Sequence, residues 1–195
     1  MSANKGGKME EVAKSVIEKV SSYDLFNNFF PGIIFCYIVE RFTRISFVEG
    51  ELWEKLFLYY FIGMILSRIG SMIVEKLLKK IQIKNEKTKE IEPFLNYAPY
   101  DEYMEAEEKE PFIKTLNAVN NIYRTMTAMF IVVMGVKLYD IFLYDYVVQW
   151  EVTGKDVVFI CVCLILIVLF AFSNRKQTAF IRSRVKKIIK SKQTE

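Results

Sequence analysis

The stretch VVFICVCLILIVLFAF at 157–172 decides how this chain is read. It holds no charge, proline, glycine or amide. A helix apolar on every face must be covered by a large protein core or by lipid. Spanning a bilayer takes about 20 mostly apolar residues. Ser173 and the residues before Val157 extend the run to that length. Arg175 and Lys176 then open a basic tail, as at the charged face of a membrane span. A buried core helix of a soluble protein is the competing reading. It loses because three further stretches share this character, and a chain of 195 residues has one core to fill.

The first of those stretches is 25–39 (LFNNFFPGIIFCYIV), expected to continue to Phe47, with Asp24 as N-cap. Pro31-Gly32 lies inside it. Either Pro31 kinks the span and Asn27 and Asn28 satisfy the freed carbonyl, or Pro31 starts the helix proper after an interfacial segment. Residues 52–74 form the second span. Trp53, Tyr59 and Tyr60 stand near its start as an interfacial belt would. Gly63, Ser67 and Ser71 recur every four residues, a small-residue seam that admits another helix. Arg68 lies inside this span, as a functional charge or a snorkelling one. The third span is 126–144, where Lys137 and Asp140 are three apart and share a face. Tyr139, Tyr144, Tyr146 and Trp150 crowd its end.

Three polar segments remain. Residues 8–21 read as an amphipathic helix on Met9, Val12, Val16 and Val20. Residues 75–124 start basic, turn acidic at 100–110 and end in the helical pattern FIKTLNAVNNIYR at 112–124. This predicts an extension of span two, a loop with a short acidic helix, and a helix leading into span three. The tail carries Ile181, Val185, Ile188 and Ile189 in a stripe surrounded by Arg182, Arg184, Lys186, Lys187 and Lys190. A basic amphipathic helix of this kind suits an anionic membrane surface. Nucleic acid is the competing ligand class.

The net charge of +4 is unevenly placed. The amino terminus, the middle segment and the tail are rich in Lys and Arg. The loop between spans three and four has only Lys155. By the positive-inside rule both termini and the middle segment face the cytosol. No apolar signal-peptide core follows Met1, so the first span is expected to stay as an anchor.

Composition also excludes chemistry. There is no histidine, which removes the commonest general base and zinc ligand. Cys36, Cys161 and Cys163 sit inside apolar runs and read as small packing residues. No glycine-rich nucleotide loop occurs. Neither a cofactor nor a metal nor an enzymatic activity is expected. A channel, a small transporter and a non-catalytic docking subunit are left. A transporter is the weaker, because the two halves show no internal repeat.

The segments YDLFNNFFPGIIF, SRIGSMIVEKLLKK and LNAVNNIYRT, each beside a span, resemble those of small four-span bacterial membrane effectors of nucleotide-signal anti-phage defence, such as the HalA-like effectors of the Hailong system. The resemblance implies a homo-oligomeric channel in the bacterial inner membrane. It also implies a nucleotidyltransferase partner and control by a nucleotide or oligodeoxyadenylate signal. It transfers no ligand residues.

For a phosphate-bearing ligand, cations with amides and aromatic rings are needed. Lys114, Asn117, Asn120, Asn121, Tyr123 and Arg124 supply them locally, with Arg68 near the same membrane face. Asn117, Asn120, Asn121 and Arg124 follow the helical spacing of one face. The alternative is that this face is a polar seam between helices. Lys137 and Asp140 are candidates for lining a channel, or for an ion pair near the outer interface; the lining is preferred. The fold expected is an all-α integral membrane four-helix bundle, tetrameric, touching lipid. Its parts are an amphipathic helix at 1–22, a transmembrane hairpin at 23–75, a cytosolic helical segment at 76–125, a second hairpin at 126–173 and a basic tail at 174–195.

Overall fold

A computed structural model describes residues 24–47, 51–84, 89–143 and 152–192. The expected amphipathic helix at 8–21, and Tyr144, Tyr146 and Trp150, lie outside the described residues.

Helix α1 is Phe30–Phe42, entered through a π-helical turn, Leu25–Phe29. Pro31 is the second residue of α1, but helical backbone already precedes it and the Phe30 N–H bonds the Leu25 carbonyl, so its missing N–H falls inside a continuous helix. Of the two readings of Pro31, a disturbance inside a longer helix is the one that fits: the helix runs unbroken from Asp24 to Phe42, and the turn before the proline is widened to a π turn. Asp24 precedes the turn but makes no side-chain bond to its backbone. Its carboxylate instead accepts from Asn28 Nδ2 at 3.3 Å. The helix stops at Phe42, short of Phe47, because Thr43 turns extended while its hydroxyl and N–H both bond back to the Val39 carbonyl.

Helix α2, Leu52–Lys80, opens with Glu51 and Glu54 each accepting the other's backbone N–H, a reciprocal cap. Its stretch Gly70–Val74 is π-helical. The chain then forms two three-residue strands, β1 Gln82–Lys84 and β2 Ile91–Pro93. They pair antiparallel, with Ile83 opposite Glu92. This ribbon adds to an otherwise helical chain what the all-α expectation lacked. Helix α3, Tyr100–Lys109, follows Pro99 and carries the acidic segment.

Helix α4, Phe112–Phe142, joins the expected lead-in helix and span three without a break. Helix α5, Gly154–Lys192, does the same for span four and the basic tail. Its start has a local cause. Thr153 Oγ1 donates to Asp156 Oδ2 at 2.6 Å, and Asp156 Oδ2 also accepts the Thr153 N–H at 3.0 Å.

Helices α2, α4 and α5 are long and apolar enough to cross a membrane, which supports a membrane protein. Helix α1 is not among them. With its π-helical entry it has 18 residues, about 27 Å, but Asn27, Asn28, Glu40 and Arg41 interrupt its apolar character. The apolar core joins Phe35, Cys36 and Val39 of α1, Leu66 of α2, Met129, Phe130 and Val133 of α4, and Cys163 of α5. Cys36 and Cys163 are buried as expected of packing residues, whereas Cys161 is exposed. Only 11% of the most apolar window of α5 is buried, against 44% for α4. Most of that apolar run therefore faces outward from this chain.

The tail behaves differently from the expected surface helix. Ile181 and Val185 are buried against Ala106 of α3 and Ile113 and Leu116 of α4. Protein, not a membrane surface, covers that part of the stripe. Arg184 Nε bonds Glu110 at 2.9 Å and helps hold the junction.

The small-residue seam of α2 is also used inside the chain. A Cβ on Gly63 would sit 1.6 Å from the Asn28 carbonyl oxygen, and one on Gly32 would sit 1.8 Å from that of Tyr59. Ser67 Oγ accepts from Asn27 Nδ2 at 3.0 Å, and Thr125 Oγ1 donates to Asn27 Oδ1 at 3.0 Å. Helices α1 and α2 thus cross at backbone contact, with the hydrogen-bond needs of Asn27 met between α2 and α4.

Candidate functional sites

Three polar places interrupt this fold. The first lies where α1, α4 and the start of α5 meet. Lys137 Nζ donates to the Phe42 carbonyl at 2.8 Å and stands 2.7 Å from Asp156 Oδ1 and 3.6 Å from Asp140 Oδ2. Asp140 Oδ1 accepts from Arg44 N and Nε, both at 3.1 Å, and the Arg44 guanidinium also reaches the Asp140 carbonyl. Signs alternate along the chain Arg44, Asp140, Lys137, Asp156. Lys137 and Asp140 are 8% and 5% exposed, so each charge depends on its partners rather than on water. The pair expected at three-residue spacing exists, but Asp156 is the closer partner of Lys137.

The second place is a seam joining α2, α4 and α5 beyond the apolar run. Asn120 Nδ2 donates to Thr178 Oγ1 at 3.0 Å. Thr178 Oγ1 is itself 3.4 Å from Asn174 Oδ1. Asn120, Thr178 and Asn174 are all buried. Arg124 Nη1 bonds Glu75, and Glu75 also pairs with Lys79 at 2.7 Å. The Tyr97 hydroxyl is within hydrogen-bond reach of Thr178 and Glu75; burial first, and the Glu75 carboxylate second, push its phenol up to about 12. It is therefore a neutral phenol at physiological pH. Asn117 meets Tyr103, whose phenol burial likewise raises.

Residues 117, 120 and 124 thus sit in a polar seam between helices. The other candidates disperse. Lys114 is exposed, the Tyr123 ring lies 6.4 Å from that of Phe170, and the Asn121 carbonyl lies 2.9 Å from Thr125 Oγ1. Arg68 is exposed on α2. Gly70 meets Arg124, so Arg68, two residues earlier and about 200° round the helix, is on the other side.

The third place was missed by the sequence reading. A cavity of about 670 Å³ opens between the ribbon and α5. From α5 it takes Arg175, Lys176, Arg182 and Lys186, and from the ribbon Lys84. Among the described residues Glu92 is the one carboxylate on the wall, and it pairs with Arg175 at 3.3 Å. Phe172 and Phe94 close the end nearest the apolar run, their rings edge to face at 5.2 Å. The Arg175 guanidinium lies 5.5 Å from the centre of the Phe94 ring. Asn96 supplies an amide. A sequence signal existed: positions 172, 175, 176, 179, 182, 183 and 186 repeat at helical spacing. It lies on the side of α5 away from the apolar stripe of Ile181, Val185, Ile188 and Ile189. The ribbon's share had no such signal.

Among the described residues no group of three or more His, Cys, Asp or Glu side chains converges as metal ligands would. No family model matches the chain, and no curated protein or solved structure matches it.

Proposed function

We propose that this protein is an oligomeric membrane effector, an ion channel of anti-phage defence held under control by a nucleotide or oligonucleotide on its cytosolic side. The observation that carries the membrane part is a layer of matched thickness. From Asn120 to Lys137 along α4, and from Asp156 to Asn174 along α5, about 26–27 Å of helix separates the polar seam from the charge chain, close to the hydrocarbon thickness of about 30 Å. Helix α1 rises beside them from the Asn27 layer to Arg44. With α1 and its π-helical entry as a crossing, the arrangement is one of four spans.

The bare faces of α5 support assembly into a homo-oligomer, with a tetramer as the simplest symmetric ring. The seam at Gly63 and Ser67 is not available for this, since α1 occupies it. The ligand part rests on the resemblance of three sequence segments and on the cations gathered at one end of the bundle. By the positive-inside rule that end is cytosolic, in the bacterial inner membrane. A nucleotidyltransferase would supply the signal. In a cysteine-free background, Lys155→Cys should react with an impermeant thiol reagent added to whole cells, and Glu108→Cys should not. The reverse pattern would invert the orientation.

The test of the function is expression without the signal or partner. Membrane potential, read with a voltage-sensitive dye, should collapse, and the purified protein should conduct in planar bilayers. A full potential together with silent bilayers would favour a docking subunit. One observation already favours that second reading: Lys137 and Asp140 are engaged inside the chain, so a lumen would need other walls.

A further inference from the structure

We propose that the cavity between the ribbon and α5 is a binding site for a phosphate-bearing ligand. This site deepens the ligand part of the function above and rests on it only for its consequence, not for binding itself. Among the described residues five cations face one carboxylate on its wall, and that carboxylate is already paired with Arg175. The surplus is concentrated in one concave place, where low-dielectric walls focus the field on an anion. Arg182 lines the wall, and its Nε is buried without a hydrogen-bond partner among the described residues. Planar guanidinium groups match phosphate oxygens in pairs, and Lys84, Lys176 and Lys186 add mobile point charges around them.

The shape adds chemistry to the charge. About 670 Å³ falls within the range of small-molecule sites, roughly 300–1,000 Å³, and exceeds what a lone inorganic phosphate fills. The half toward the apolar run is aromatic, with Phe172 exposed beside the buried Phe94. A ligand with phosphate at one end and a flat or apolar moiety at the other is accommodated by both halves. Two sources offer this chemistry: a soluble nucleotide or oligonucleotide, and the headgroup of an anionic phospholipid, since the cavity begins where the apolar run of α5 ends. The candidate face on α4 has less to offer an anion, because Arg124 is tied to Glu75.

The whole protein in nanodiscs of phosphatidylcholine is titrated with pyrophosphate and with ATP, and binding is read by calorimetry. It is then compared by thermal unfolding in nanodiscs with and without phosphatidylglycerol. The variants are Lys176→Gln with Lys186→Gln, both exposed side chains, and separately Arg182→Gln. Lys187→Gln, on α5 outside the cavity, and Lys114→Gln, on α4, are controls.

Binding of pyrophosphate or ATP that weakens at least about tenfold in the cavity variants, and within about twofold in the controls, establishes a site for a soluble ligand. No soluble binding, but stabilisation by phosphatidylglycerol that the cavity variants lose, establishes a lipid site. Binding that survives in the cavity variants or falls instead with Lys114→Gln overturns the proposal, as does neither form of binding. Because no current is measured, a true site on a silent protein sinks the channel and leaves the site. A channel whose ligand response ignores the cavity variants does the opposite.

Discussion

Replacing Lys137 with methionine is expected to destabilise the protein by about 3–5 kcal/mol. The change removes the cation that serves both Asp156 at 2.7 Å and Asp140 at 3.6 Å, and leaves the Phe42 carbonyl without its 2.8 Å donor. Asp140, with a side chain 7% exposed, then keeps the half-exposed Arg44, while Asp156, 16% exposed, is left with the Thr153 hydroxyl and N–H. Asp140→Asn should cost less, about 1–2 kcal/mol. Its amide oxygen can still accept from Arg44, and Lys137 keeps Asp156. Unfolding of purified variants in detergent against temperature or dodecyl sulfate gives the order directly. Equal and small effects would mean that the ammonium is not a structural link. A lumen lining would then be the better account, and Lys137→Glu should shift ion selectivity in single-channel recordings.

The second large effect is expected at the crossing of α1 and α2. A Cβ at Gly63 would stand 1.6 Å from a backbone oxygen, and no side-chain rotation relieves a clash with backbone. Gly63→Val should therefore drive the two helices apart, at about 3 kcal/mol or more, and release Asn27 from Ser67. Gly32→Val should do the same from the other side. Gly135 makes the control, because a Cβ there would meet nothing within 4 Å. Gly135→Ala should be neutral or stabilise α4 by up to about 1 kcal/mol. Loss of monodisperse protein for the first two variants, with Gly135→Ala unaffected, is the expected result. A Gly63→Val protein that elutes and unfolds like the parent would show that α1 does not cross α2 at this point.

The sequence alone determined what depends on local composition and on period. The run at 157–172 is apolar in every direction, so its helix and its need for a non-aqueous cover follow without any partner. Lys137 and Asp140 share a face because three residues make nearly a turn. Asn117, Asn120 and Arg124 were assembled by the same rule, with a seam already the alternative to a ligand face. The cap at Thr153 and Asp156 is equally local, a threonine three residues before an aspartate at the start of a helix.

Tertiary structure decided who meets whom. Asp156 is sixteen residues from Asp140 in the chain, yet it answers Lys137, because the start of α5 docks against the end of α4. The small residues of α2 announced a close approach but not its partner. Any helix of matching contour satisfies such a seam, and α1 takes it through Gly32. The tail's stripe promised burial of an apolar face without saying in what, and helices α3 and α4 supply the cover. The cationic cavity needed the ribbon, whose strands have three residues each. Strands so short carry too little alternation to be read from sequence, and they persist here because Phe94 anchors the ribbon against α5.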